Sequence, residues 1–170
     1  TGDNNIAVGS DALNATTTAN NNVAVGYNAL TSNTTGEQNV AVGSLALDET
    51  TTASYNTAVG YDTLSANTTG IVHTALGWGA LKTNTTGSEN TACGANSLYY
   101  NTTGSYNTAV GRQSLTNNTT ASYNTGLGYR TLFDNTTGAQ NTALGALALI
   151  TSTTANNNTG LGYKALEATT

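Results

Sequence analysis

Few residues in this chain could do chemistry. There is one His (His73), one Cys (Cys93) and one Trp (Trp78), with nine acidic and four basic side chains. An acid–base pair needs two titratable groups brought close. Asp11 and Asp62 occupy the same repeat position but lie three repeats apart. At ~4.8 Å per stacked strand that is about 14 Å, beyond the ~5–9.5 Å of a glycosidase carboxylate pair. Asp48 and Glu49 are adjacent, which points them to opposite faces as solvated corner charges. His73 replaces an Asn that fills its position in the other nine repeats, so it reads as a variant of that column. Cys93 stands where Val or Leu otherwise stands and reads as a small core residue. No Cys/His spacing suits a metal. The expectation is a protein with no catalytic residues, no metal and no cofactor.

Other side chains could bind rather than react. Tyr27, Tyr61, Trp78, Tyr129 and Tyr163 share one repeat position and are candidate ligand-facing aromatics. Exposed aromatics could dock sugar rings or another chain. Stacking along a rod is the plainer account. Asn33, Asn67, Asn84, Asn101, Asn118 and Asn135 each open an Asn-x-Thr triplet and are candidate glycosylation sites. The repeat itself generates these triplets, so the signal is weak.

Everything that could position these groups is repetitive. Gly9, Gly26, Gly43 and their successors to Gly162 recur every 17 residues, as do Leu13 to Leu166 and Thr17 to Thr170. Numbering one repeat from Asn56 (position 1) to Val72 (position 17), no copy carries an insertion or deletion. A 17-residue unit is too short for a helix pair, and Thr, Asn, Val and Tyr favour strands and turns. The expected fold is all-β: a parallel β-solenoid of ten 17-residue coils, one repeat per rung, forming a single domain over residues 1–170. Stacking each residue on its equivalent explains the fixed length. Gly60, after the first short strand, is expected at positive φ, and Asn67–Gly70 as a corner. The absence of Pro fits a chain whose N–H groups join ladders.

Two columns are assigned inward as the core ladder. Position 4 holds Val8, Val25, Val42, Val59, Leu76, Cys93, Val110, Leu127, Leu144 and Leu161. Position 9 holds Leu13, Leu30, Leu47, Leu64, Leu81, Leu98, Leu115, Leu132, Leu149 and Leu166. Position 3, next to position 4, must then face the other way. It is always small: Ala7, Ala24, Ala41, Ala58, Ala75, Ala92, Ala109, Gly126, Ala143 and Gly160. Such a face suits close packing against a neighbouring chain. Thr170 is position 13 and Thr1 position 14, so the ends are in phase, and no polar cap is visible at either. Uncapped strand edges favour head-to-tail stacking.

The segments Asn56-Thr57-Ala58-Val59-Gly60-Tyr61 and Asn107-Thr108-Ala109-Val110-Gly111 resemble the head repeat of YadA-like trimeric autotransporter adhesins. With the Asn-Thr-Thr-Gly corner they are more similar to the repeat of phage tail-fibre-like proteins. The resemblance covers all ten repeats and implies a parallel β-roll, commonly trimeric, acting as a rigid extracellular rod.

Composition excludes several partners. Four basic residues cannot form the positive footprint that nucleic acid demands. No apolar run approaches the ~18 residues of a membrane span. A flat two-column Thr array of the kind that could order ice is not expected, because position 12 is Asn in six copies. The functional expectation is a structural rod or filament subunit of an extracellular fibre, on a cell surface or virion. Its partner is itself, as a homotrimer or head-to-tail filament. The alternative is a receptor- or glycan-binding adhesin or tail-fibre shaft segment whose partner is a cell-surface glycan.

Overall fold

A computed structural model of the chain describes residues 2–167. Its regular elements are ten three-residue strands, β1 (Ile6–Val8), β2 (Val23–Val25) and so on at the same step to β10 (Thr159–Leu161). They pair in sequence order into one parallel ten-stranded sheet, each residue aligned with its equivalent 17 positions on, as Thr57 with Thr74 and Val59 with Leu76. The fold is the expected parallel β-solenoid, one repeat per rung, with no helix among the described residues.

Hydrogen bonds between rungs continue well past the strands. Within one repeat, the N–H groups of Thr57, Gly60, Asp62, Leu64, Ala66, Thr68 and Val72 all donate to carbonyls of an adjacent rung. Side chains fill the gaps: Thr68 Oγ1 donates to Thr85 O at 3.0 Å, and Ile71 N–H donates to Ser88 Oγ at 3.2 Å. With nearly every backbone donor so occupied, an added residue would shift the alignment of a whole coil.

Left-handed backbone makes the coil turn. Gly60 has φ 139°, and a Cβ there would sit 2.7 Å from Gly77 O in the next rung. No other residue type fits this column. Positions 7, 9 and 17 are left-handed as well, as at Asp62 (φ 59°), Leu64 (φ 52°) and Val72 (φ 61°). That conformation costs an L-residue roughly 1–2 kcal/mol. It brings the side chains of consecutive positions 8 and 9 inside together, which an extended strand cannot do. Thr63 and Leu64 are both buried, as are Ala80 and Leu81.

The strand faces are the reverse of the expected ones. The small residues of position 3 point inward: Ala24, Ala41, Ala58, Ala75, Ala92, Ala109 and Ala143 have no exposure, and Gly126 and Gly160 are buried too. Ala7 is exposed, in the first rung. A Cβ on Gly126 would meet Ser114 Oγ, Thr131 Oγ1 and Leu115 Cδ1, and one on Gly160 would meet Leu149 Cγ. Position 3 therefore faces the side chains of positions 8 and 9. The position-4 column, expected as core, lies on the outer face. Val8, Val59, Leu127, Leu144 and Leu161 are exposed; Val25, Val42, Leu76, Cys93 and Val110 are half-buried. The reason is width. The Leu column already fills the interior opposite the strand, leaving room for a methyl group and no more.

The position-9 Leu column is the core it was expected to be from Leu13 to Leu149, while Leu166, in the last rung, is 47% exposed. Two asparagine columns share the interior. Position 1 (Asn22, Asn39, Asn56, Asn90, Asn107, Asn124, Asn141) and position 12 (Asn33, Asn67, Asn84, Asn101, Asn118, Asn135) are buried throughout.

Candidate functional site

Buried polar groups must be hydrogen-bonded, and the Asn columns meet this demand by passing bonds from rung to rung. In position 1, Asn107 N–H donates to Asn90 Oδ1 (2.9 Å), and Asn107 Nδ2 donates to Ala121 O (2.9 Å). In position 12, Asn84, Asn101, Asn118 and Asn135 each donate Nδ2 to the Oδ1 of the preceding Asn at 2.8–2.9 Å. The same Nδ2 also reaches a position-15 carbonyl, as from Asn101 to Gly104 O at 2.9 Å. The column ends where Ser152 replaces Asn: Asn135 Oδ1 and Ser152 Oγ are buried without a partner.

These bonds correct the glycosylation assignment. Asn33, Asn67, Asn84, Asn101, Asn118 and Asn135 have no solvent exposure, and their amides face the interior. The folded chain offers no nitrogen there to which a sugar could be attached.

His73 takes the place of an Asn in position 1, as its sequence position suggested. Its N–H donates to Asn56 Oδ1 (3.0 Å) and its Nδ1 accepts from Asn90 N–H (3.2 Å). Nε2 lies 2.7 Å from Gly87 O, so Nε2 carries the proton. The neutral ring thus reproduces both the acceptor and the donor of the amide. Burial pushes its pKa from 6.5 down to about 4, against a smaller opposing pull from the Gly87 and Asn90 backbone bonds. It is 1% exposed and has no carboxylate or nucleophile among these partners, so it is a ladder residue.

The acidic residues stay dispersed. Asp62 pairs with Lys82 at 2.6 Å. Asp48 is half-buried beside the exposed Glu49, and burial, then the Glu49 charge, raise its pKa from 3.8 to about 6. Among the described residues, no group of three or more His, Cys, Asp or Glu is placed to hold a metal ion. Among the described residues there is no helix long and apolar enough to cross a membrane.

The outer face of the sheet is an uncharged, partly exposed strip. Position 2 supplies Ile6, Val23 and Val40, then Thr57 and a Thr in each later rung; position 4 supplies the displaced Val, Leu and Cys93 column. No charged residue occurs at either position in any of the ten coils. Beside it stand the candidate aromatics. Tyr27, Tyr61, Trp78, Tyr129 and Tyr163 are all exposed, from 42% at Tyr129 to 70% at Tyr163. At position 17, Tyr106 and Tyr123 stack in parallel, 4.9 Å between centroids, as rod-wise stacking requires. The position-2 column was not singled out from sequence. The alternation Thr-Ala-Val could have revealed it, because one small residue between two larger ones marks a narrow inner face.

Comparison with protein-family models, with curated proteins and with solved structures finds no match.

Proposed function

We propose that this chain is a structural rod segment of an extracellular fibre that associates laterally with copies of itself through the outer sheet face. The observation that carries the reading is the uncharged column of Val, Leu and Thr at positions 2 and 4, repeated in every rung and left partly exposed. Exposed apolar strips of this extent mark association surfaces. Their columns repeat at the rung spacing of ~4.8 Å, and another copy of the chain matches that period without adjustment. The small-residue column assigned this role from sequence is inside the coil, so the contact belongs to its neighbours on either side. The resemblance of the repeat to trimeric adhesin heads and tail-fibre-like proteins points the same way.

Sedimentation velocity tests the proposal. The parent chain is expected to sediment as an oligomer. The Val59→Lys/Val110→Lys variant, which sets two charges on the face, is expected to sediment at one chain's mass with an unchanged circular dichroism spectrum. A monomeric parent, or a variant that stays assembled, overturns the reading.

A further inference from the structure

The repeat is broken in one place by several columns at once. Between the fifth and eighth rungs, position 6 carries Trp78, position 10 carries Tyr99 and Phe133, and position 11 carries Tyr100. These include the only Trp and the only Phe in the chain. Together with Asn96, Gln113 and Asn117 they line a cleft of about 420 Å³, floored in part by Thr116. The volume falls within the ~300–1,000 Å³ range of small-molecule sites. From Trp78 to Phe133 the cleft crosses three rung steps, about 14 Å.

The aromatic walls are held in place. Gly79 is the only glycine at position 7, and a Cβ there would come within 3.0 Å of the Tyr99 ring. Its absence lets Tyr99 lie against the backbone, where Tyr100 meets it edge-on at 4.7 Å. The Arg130 guanidinium lies 4.0 Å from the Phe133 centroid, and Lys82, paired with Asp62, sits 5.7 Å from that of Tyr99. The lining itself carries no charge.

Asn96 Oδ1 is buried and faces the backbone of Gly79, where a Cβ would come within 2.9 Å of it, so this oxygen is not offered to the cleft. Backbone pairing is closed to a visitor, because the Asn96 and Gln113 N–H groups already donate to Trp78 O and Ala95 O in adjacent rungs. A peptide strand therefore finds no edge to extend. What remains is aromatic faces beside side-chain amides that both donate and accept.

We propose that this cleft binds a neutral oligosaccharide, with pyranose C–H faces against Trp78, Tyr99 and Phe133 and hydroxyls bonded by Gln113 and Asn117. A pyranose ring presents an apolar face and a polar rim, which is the pattern the walls repeat. Tyr100 divides the cleft from a second one of about 490 Å³ lined by Thr83, Thr102, Thr119 and Thr136, so a chain longer than one ring has room to continue.

Trp78, as the sole tryptophan, reports on the site directly. The full-length chain is titrated to millimolar concentration with maltohexaose, cellohexaose and chitohexaose while its emission is followed. At least one sugar is expected to give a saturable shift. The Tyr100→Ala/Gln113→Ala variant is expected to weaken that binding at least tenfold. No saturable response to any of the three, or equal binding by the variant, overturns the proposal. Saturation-transfer NMR on the parent decides independently should the variant not fold: transfer must reach sugar ring C–H protons, and its absence overturns the assignment. Repeating the titration in Val59→Lys/Val110→Lys separates this site from the self-association surface, since binding is expected there unchanged whatever the sedimentation result.

Discussion

His73 is a titratable group inside a column built of groups that do not titrate. Its folded pKa of about 4 lies below the 6.5 of the exposed side chain. Between these values the unfolded chain binds a proton that the folded chain does not, so stability is lost as pH falls from about 6.5 towards 4 and is unaffected above that window. The shift corresponds to at most about 3 kcal/mol. Protonation would put a hydrogen on Nδ1, facing the Asn90 N–H that it now accepts. His73→Asn is expected to abolish this acid-dependent loss while leaving stability at pH 7 nearly unchanged; thermal melts of both proteins from pH 4 to 8 check it. Asp48 acts with the opposite sign. Its raised pKa means the fold favours the protonated acid, a contribution present below 3.8 and lost as pH rises through about 6. The parent's own pH curve mixes the two, so the difference between parent and His73→Asn is the informative quantity. A second residue-scale prediction comes from the break at Ser152. Ser152→Asn would supply the missing donor to Asn135 Oδ1 and is expected to raise stability by about 1 kcal/mol, read from a denaturant midpoint.

At the scale of the coil, the glycine of position 5 and the leucine of position 9 have different jobs. Gly60 allows close stacking of backbone on backbone, and Leu64 fills the interior after a left-handed step. Gly60→Ala is expected to cost more than ~1 kcal/mol, because φ is 139° and the added methyl meets Gly77 O. Chemical denaturation measures it. The 17-residue period, the parallel stacking, the turn at glycine and the inward Leu were all legible in the sequence, because each repeats without exception. The phase of the strand was not. A three-residue strand has only one residue on its inner face, so alternation alone cannot say which. Placing the larger Val and Leu of position 4 inside ignored the volume that Leu, Asn and Thr side chains already occupy. The Asn column of position 1 was visible as near-invariant and that of position 12 as Asn in six copies, yet their polarity hid their burial: an amide is a core residue only when another amide stands one rung away to satisfy it. The cleft at Trp78 was missed because its parts are spread over four rungs, with Tyr99, Tyr100 and Phe133 lying 21, 22 and 55 residues after Trp78. The departures from the repeat were the available signal, and they make sense only when laid side by side on the solenoid.

For the whole molecule, stability is a sum over coils and the contacts between neighbours. Deleting residues 107–123, one complete repeat, is expected to leave a folded rod with the same strand alignment and a modestly lower melting temperature. Deleting Thr69 alone shifts the stacking of every later residue in its coil, and a larger loss is expected, seen as a broadened or absent transition by circular dichroism. The contrast tests whether alignment between rungs, rather than the number of rungs, holds the structure together.

The amide column from Asn67 to Asn135 has an electrical direction of its own. Backbone bonds run both ways: Thr57 N–H points forward to His73 O, and Gly60 N–H points back to Val42 O. The Thr column donates forward throughout, as from Thr68 Oγ1 to Thr85 O and from Thr85 Oγ1 to Thr102 O. The amide column runs the other way. Every link is donated from the later rung to the earlier one, so its carbonyl ends all face the rung of Ser152. Bonds in such a series polarise one another. Rods packed in the same sense add these dipoles, and rods packed in opposite senses cancel them. The two ends of the rod are therefore distinguishable, and the sense in which neighbours lie decides whether their amide columns reinforce or oppose one another.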